Sequence, residues 1–142
     1  MTIIAIGSDH GGYEYKELIK NHLKTKGYDI IDVGTDSTES CDYPIYAKEI
    51  AILVSTKQAD KGILVCGTGI GMSICANRYK GIRASVCTDT FMASATRKHN
   101  DSNILCLGER VIDIDTAINI VDTWLETEFE GGRHQKRIDM IE

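Results

Sequence analysis

The chain has 142 residues, of which 42% are hydrophobic and 26% are charged, values typical of one globular domain. Its 21 acidic and 16 basic residues give a formal net charge of −5, which argues against a nucleic-acid-binding surface. No apolar stretch reaches the ~18 residues of a membrane-spanning helix and no basic region precedes the first apolar run, so we expect neither a membrane anchor nor a signal peptide.

Short apolar runs alternate with longer segments of helical periodicity, which predicts strands alternating with helices. The predicted strands, in chain order, are residues 2–8, 29–33, 61–66, 83–87 and 103–107. The predicted helices, in the same order, are residues 14–26, 45–56, 71–79, 90–99 and 115–129. A polar loop is expected over 34–44, which contains the only proline, and a short basic helical segment over 133–142.

Continuously apolar strands joined by amphipathic helices are typical of a parallel sheet covered on both faces. We therefore expect residues 1–142 to form one α/β domain, a three-layer α/β/α Rossmann-like fold with a five-stranded parallel sheet and right-handed crossovers. Ligands bind outside the carboxyl ends of the strands in such sheets. Four segments follow predicted strands in this way: 8–12, 66–73, 89–90 and 108–110.

The five cysteines show no spacing typical of a zinc site or a disulfide framework, because their number is odd and no CxxC pair occurs. Free thiols are expected in a reducing cytoplasm. Three cysteines lie within apolar segments and are predicted to be small core residues: Cys75, Cys87 and Cys106.

The sequence CGTGIG at 66–71 lies between the third predicted strand and the next helix. Its glycines let the backbone approach a ligand closely, and their amides with the helix N-terminus form an anion-binding nest. The segment lacks the spacing of a dinucleotide fingerprint and the lysine of a P-loop. Because the positive end of a helix favours a thiolate, we interpret Cys66 as a reactive sulfur rather than as another buried small residue.

Three other polar segments have both a functional and a structural interpretation. Asp9 and His10 could orient sugar hydroxyls or a phosphate, or Asp9 could simply cap the first helix. His99 ends a predicted helix, where it could be a general acid or a solvated basic residue favoured by the helix dipole. Arg133 and Arg137 are four residues apart and share one helix face, which suits a phosphate dianion or a charged tail.

Taken together, five blocks closely resemble the ribose-5-phosphate isomerase B family, which also includes galactose-6-phosphate isomerase subunits and an allose-6-phosphate isomerase. The blocks are, in chain order, SDHGG at 8–12, DYP at 42–44, CGTGIGMSICANRYKGIRA at 66–84, RKHNDSNILCLGERVI at 97–112 and EGGRHQKRI at 130–138. They run the length of the chain in the family's order, which makes the resemblance far more specific than any single block.

The resemblance implies interconversion of ribose 5-phosphate and ribulose 5-phosphate through a cis-enediolate, in pentose phosphate metabolism and without a metal or cofactor. It implies Cys66 as the base that moves a proton between C2 and C1, because Met72 stands where some relatives have a catalytic glutamate. Thr68 would relay protons among substrate oxygens, and His99 would open the furanose ring. The residues that match substrate-binding positions are Asp9, His10, Tyr43, Gly67, Gly69, Gly71, Asn100, Arg110, Arg133 and Arg137, the three arginines on the phosphate.

The family's assemblies imply a homodimer or a tetramer whose active sites are shared between subunits, with residues 133–142 packing on a partner subunit. Two alternatives remain open from the sequence. The first is isomerisation of a six-carbon phosphate such as allose or galactose 6-phosphate. The second is a non-enzymatic domain that senses a phosphorylated ligand. A thiol phosphatase fits poorly, since its loop needs an arginine within the turn and Arg78 comes too late.

Overall fold

The computed structural model describes residues 2–142 and contains five strands and six α-helices in that range. The strands are β1 (Ile3–Ser8), β2 (Asp29–Asp32), β3 (Lys61–Cys66), β4 (Ala84–Val86) and β5 (Ile104–Gly108). The helices are α1 (Tyr13–Thr25), α2 (Tyr43–Ser55), α3 (Ile70–Ala76), α4 (Thr90–Asn100), α5 (Ile114–Glu126) and α6 (Arg133–Asp139). Within residues 2–142, no helix combines the length and the apolar composition that crossing a bilayer requires.

The five strands form one parallel sheet in the order β2-β1-β3-β5-β4. Strand β3 lies at the centre, and its residues Gly62 to Cys66 are all buried. Alternate side chains point to opposite faces of the sheet. Ile63 and Val65 pack against the layer that includes α1 and α5, whereas Leu64 and Cys66 pack against α2 and α3. The expected three-layer α/β/α architecture is therefore confirmed.

The differences from the predicted elements are local. Helix α2 begins at Tyr43, two residues before the predicted start, and Pro44 lies in its first turn rather than in the loop. A proline is tolerated there because the first amides of a helix have no intrahelical acceptor. Helix α5 ends at Glu126 instead of 129, and an unpredicted 3₁₀ turn, His10–Gly12, precedes α1.

The core prediction for the cysteines is correct for two of the three. Cys87 and Cys106 are buried, but Cys75 is only half-buried, so its assignment to the core is wrong. It lies on the side of α3 that meets the start of α2, where its Sγ is 3.8 Å from the Pro44 carbonyl oxygen. An apolar neighbourhood in the sequence did not reveal that this side chain lies at the margin of the core.

Candidate active site

Cys66 is the last residue of the central strand, and its side chain is 6% exposed. The backbone N–H of Gly69 donates to Cys66 Sγ over 3.1 Å. Gly69 has a φ of +83°, and a methyl group on it would lie 3.0 Å from the Leu107 carbonyl carbon, so the turn requires glycine. The turn therefore places a backbone donor at the Cys66 sulfur, at the end of β3.

Thr68 is exposed within the same turn, and its Oγ1 accepts a hydrogen bond from the Ile70 backbone N–H over 3.2 Å. A methyl group on Gly108 would lie 2.7 Å from Thr68 Cα, which shows how closely β5 supports this turn. Because Oγ1 acts as an acceptor toward the backbone, the hydroxyl proton is free to be donated. Thr68 can thus offer a proton to an oxygen bound above the turn.

The turn after β1 lies against the cysteine turn. Asp9 accepts a hydrogen bond from the Gly11 N–H over 2.9 Å and caps the 3₁₀ turn. It therefore caps the turn before α1 and not α1 itself, whose N-cap residue is Gly12. A methyl group on Gly11 would lie 3.4 Å from the Gly67 nitrogen. His10 Nδ1 accepts from the Cys41 N–H over 3.2 Å, so a neutral His10 ring carries its proton on Nε2.

Arg110 and Tyr43 complete this group of residues. The Arg110 backbone N–H donates to the Gly67 carbonyl over 3.0 Å, and a methyl group on Gly67 would lie 3.3 Å from Arg110 Nη1. The Tyr43 ring covers Gly71, where an added methyl group would lie 2.8 Å from the ring carbons. We call the residues gathered around the sulfur at the carboxyl edge of the sheet the cysteine cluster: Asp9, His10, Tyr43, Cys66, Gly67, Thr68, Gly69, Gly71 and Arg110.

Glu109 is a neighbour of this cluster to which the sequence interpretation gave no role. Its Oε1 accepts from the Tyr15 backbone N–H at the start of α1 over 2.8 Å, and burial raises the pKa of its carboxyl. Its backbone N–H also donates to the Cys66 carbonyl over 2.9 Å. The residue therefore ties the loop after β5 to α1 and to the turn that follows β3. Only its position beside Arg110 in the sequence could have suggested this.

The remaining predicted site residues lie together elsewhere. We call them the histidine cluster: His99, Asn100, Arg133 and Arg137, which line a cavity of about 330 Å³ with His134, Ile138 and Ile141. Helix α4 starts after the carboxyl end of β4 and returns to the amino edge of the sheet, where Arg83 Nε donates to the Asn100 carbonyl. Thr90 and His99 are nine residues apart on this helix, a rise of about 14 Å. Within one chain, His99 and Cys66 therefore lie at opposite edges of the sheet.

Two further residues belong beside His99. The His99 and His134 rings stack with their centroids 4.5 Å apart. His134 is 5% exposed, and this burial lowers the pKa of its imidazole. The positive charge of the nearby Arg133 lowers the pKa further. Glu130 Oε1 lies 3.5 Å from His134 Nε2, and the Glu130 backbone N–H donates to the Lys98 carbonyl. Sequence reasoning gave neither residue a role, although both lie in the EGGRHQKRI block.

The similarity to known proteins covers nearly the whole chain. A family model described as Ribose/Galactose Isomerase matches residues 4–141. The chain belongs to the ribose/galactose isomerase family. It is 48% identical over 141 residues to ribose-5-phosphate isomerase B of Escherichia coli (strain K12), covering 99% of this chain and 95% of that protein. The resemblance inferred from five sequence blocks is thereby confirmed.

Solved structures of family members agree with the fold. The ribose-5-phosphate isomerase B of Clostridium thermocellum has 54% identity and a TM-score of 0.98, covering 99% of this chain and 95% of that one. The enzyme of Mycoplasma genitalium, solved with bound ribulose-5-phosphate, has 42% identity and a TM-score of 0.94, covering 99% and 93%. The Rossmann-like sheet and its helices are thus those of the family.

Proposed function

We propose that this family member interconverts ribose 5-phosphate and ribulose 5-phosphate through a cis-enediolate, with Cys66 as the base. The observation that carries the proposal is the sulfur at the end of β3, which accepts the Gly69 N–H over 3.1 Å. Abstraction of a proton next to a carbonyl requires a base and a stabilised oxyanion. A thiolate beside backbone donors supplies both within one turn.

The proton transfers can be assigned to neighbouring groups. Cys66 takes the proton from C2 of the open-chain aldose and returns it to C1, while the carbon–oxygen double bond moves from C1 to C2. The Thr68 hydroxyl, which has a free proton above the turn, carries protons between O1 and O2. Amides of Gly67 and Gly71 hold the negative charge that develops on the enediolate oxygens, where loss of one donor typically costs about 10²–10³-fold in rate.

Substrate binding uses both clusters. Asp9, His10 and Tyr43 contact the sugar, and Arg110 lies at the same edge as the sulfur. The other phosphate ligands, Arg133 and Arg137, lie with the ring-opening acid His99 at the opposite edge. A pentose phosphate cannot reach both edges of one sheet, since α4 alone separates them by about 14 Å.

A second copy of the chain resolves this separation. We propose a homodimer, or a dimer of dimers, in which the cysteine cluster of one subunit faces the histidine cluster of its partner. Asn100 then contacts the sugar beside His99, and residues 133–142 pack on the partner subunit. The large apolar side chains Met140 and Ile141 are 78% and 69% exposed in the single chain, which supports a covered C-terminal segment.

The chemistry requires no redox cofactor, since the oxidation state of the substrate as a whole does not change. The phosphate binding energy holds C2 against the sulfur, which lowers the entropic part of the barrier. The five cysteines are free thiols, and this supports a location in a reducing cytoplasm.

A turnover assay with three sugars tests the proposal. Ribose 5-phosphate, allose 6-phosphate and galactose 6-phosphate are compared at equal concentration, with the exchange of the C2 proton into solvent followed by NMR. We expect the highest kcat/KM for ribose 5-phosphate. A higher value for either hexose phosphate would assign the six-carbon reaction instead. Tight binding without C2 exchange would make the protein a sensor rather than an enzyme.

A further inference from the structure

Three metal-ligand side chains lie at the histidine cluster, and the isomerase reaction does not use them as a set. The ligand atoms of His99, Glu130 and His134 all lie within 4.8 Å of one another. These residues show no zinc-site spacing in the sequence, because His99 is about thirty residues before the other two. The fold brings them together where α4 and α6 pack.

A second observation points to a ligand between these side chains. His134 is 5% exposed, and its Nε2 has no hydrogen-bond partner among residues 2–142. Glu130 Oε1 is 3.5 Å from this nitrogen, which is too far for a good hydrogen bond. A buried polar atom without a partner is costly, and a metal ion would satisfy this nitrogen.

We propose that His99, Glu130 and His134 form a binding site for a divalent ion of the zinc class. Two imidazoles and one carboxylate are a ligand set that suits Zn²⁺, whereas Mg²⁺ and Ca²⁺ prefer all-oxygen sites. Ligand atoms around tetrahedral zinc at about 2.0–2.2 Å are roughly 3.4 Å apart, so the three atoms must close by little more than an ångström. His99 and Glu130 are exposed and can make this movement, while the buried His134 stays fixed.

The neighbouring arginines limit the affinity of the site. Arg133 and Arg137 line the same cavity, and their positive charges oppose the binding of a metal cation. Three protein ligands leave the fourth zinc position to water or another small ligand. The site is therefore weaker than a four-ligand structural zinc site, and the ion binds and leaves without unfolding the protein.

Occupancy of this site inhibits the enzyme, a consequence that depends on the proposed function of His99. A ring nitrogen that binds the metal cannot donate a proton to the furanose oxygen. Zinc therefore lowers turnover of ribose 5-phosphate reversibly, and EDTA restores it. The bound ion is an inhibitor, and the catalytic cycle runs without it.

The binding itself is tested without any sugar, so that its outcome is independent of the isomerase assay. The EDTA-treated and desalted full chain is titrated with Co²⁺, whose visible spectrum reports the ligands, and with Zn²⁺ by calorimetry. We expect one ion per chain, with a cobalt spectrum that lacks thiolate charge-transfer bands. Glu130→Gln should weaken binding roughly tenfold or more, since even the loss of an outer partner of a metal ligand costs this much. Glu128→Gln, which changes an exposed carboxylate two residues away, is the matched control and should bind like wild type.

His134→Gln, which removes the buried ligand, is the second test of metal binding. If that chain does not fold, the Glu130→Gln variant, which changes an exposed residue, still decides the question. Thiolate bands, no saturable binding, or equal affinity in Glu130→Gln and wild type would overturn the site. Each protein is then assayed with ribose 5-phosphate at increasing Zn²⁺, relative to its own metal-free rate. Glu130→Gln should shift half-inhibition to a roughly tenfold higher Zn²⁺ concentration or more. Cobalt binding at the cluster with no effect of Zn²⁺ on turnover would refute the inhibitory role alone.

Discussion

A heterodimer with a different defect in each subunit tests whether the active site is shared between two chains. Cys66→Ala removes the sulfur at the carboxyl edge of the sheet, and His99→Ala removes the imidazole at the amino edge. The rise of about 14 Å between Thr90 and His99 keeps these two groups apart within one chain. In the proposed homodimer, each variant alone places a defect in both sites, so both homodimers should be nearly inactive.

Co-expression of the two variants with different affinity tags and two-step purification gives the mixed dimer. One of its sites then combines an intact Cys66 from one chain with an intact His99 from the other, while the second site carries both defects. The mixed dimer should recover roughly half of the wild-type turnover per dimer. The matched control pairs Cys66→Ala with Thr68→Ala, which lie in the same turn and therefore leave no intact site. A mixed dimer confirmed by native mass spectrometry but no more active than this control would refute the shared site.

Two substitutions and one labelling experiment test other parts of the structure. Gly69→Ala should lower kcat by roughly 10²–10³-fold. The φ of +83° is strained for alanine, and the added methyl group would lie 3.0 Å from the β5 backbone, so the Gly69 amide must move away from the sulfur. An unchanged kcat would contradict this. Trp124→Phe should lower the free energy of unfolding by about 1–3 kcal/mol, because it leaves the buried Ser102 hydroxyl without its 2.7 Å donor; a urea midpoint equal to wild type would count against it. Burial raises the pKa of Cys87 to about 12, so iodoacetamide at neutral pH should label the half-buried Cys41 faster than the buried Cys87. Equal labelling of these two cysteines, measured by peptide mass spectrometry, would disprove this.

The fold was predictable because the three inner strands, β1, β3 and β5, are buried on both faces. Continuous apolar runs such as 61–66 have few other interpretations when helical segments separate them. The start of α2 was missed because Pro44 was assigned to the loop, although proline is favoured in the first turn of a helix. Such boundaries depend on cap geometry that the residue types alone do not determine.

The site was predictable where it is local and unpredictable where it depends on chain packing. Cys66 and its glycines form one short turn, so their contacts follow from neighbouring positions in the sequence. The separation of His99 from this turn follows from the direction of α4 and from the insertion of β5 between β3 and β4. The closeness of Glu130 and His134 to His99 depends on how α6 packs on α4, and no spacing in the sequence shows it.

Loss of deuterium from C2 of labelled ribose 5-phosphate, followed by NMR, most directly tests whether the Cys66 sulfur removes this proton. Cys66→Ala is compared with Cys75→Ala, which removes a half-buried thiol from the neighbouring helix α3. The proposed mechanism predicts that deuterium loss is roughly 10²–10⁴-fold slower in Cys66→Ala than in wild type, whereas Cys75→Ala is close to wild type. Deuterium loss at the wild-type rate in a folded Cys66→Ala protein would contradict the role of this sulfur as the base.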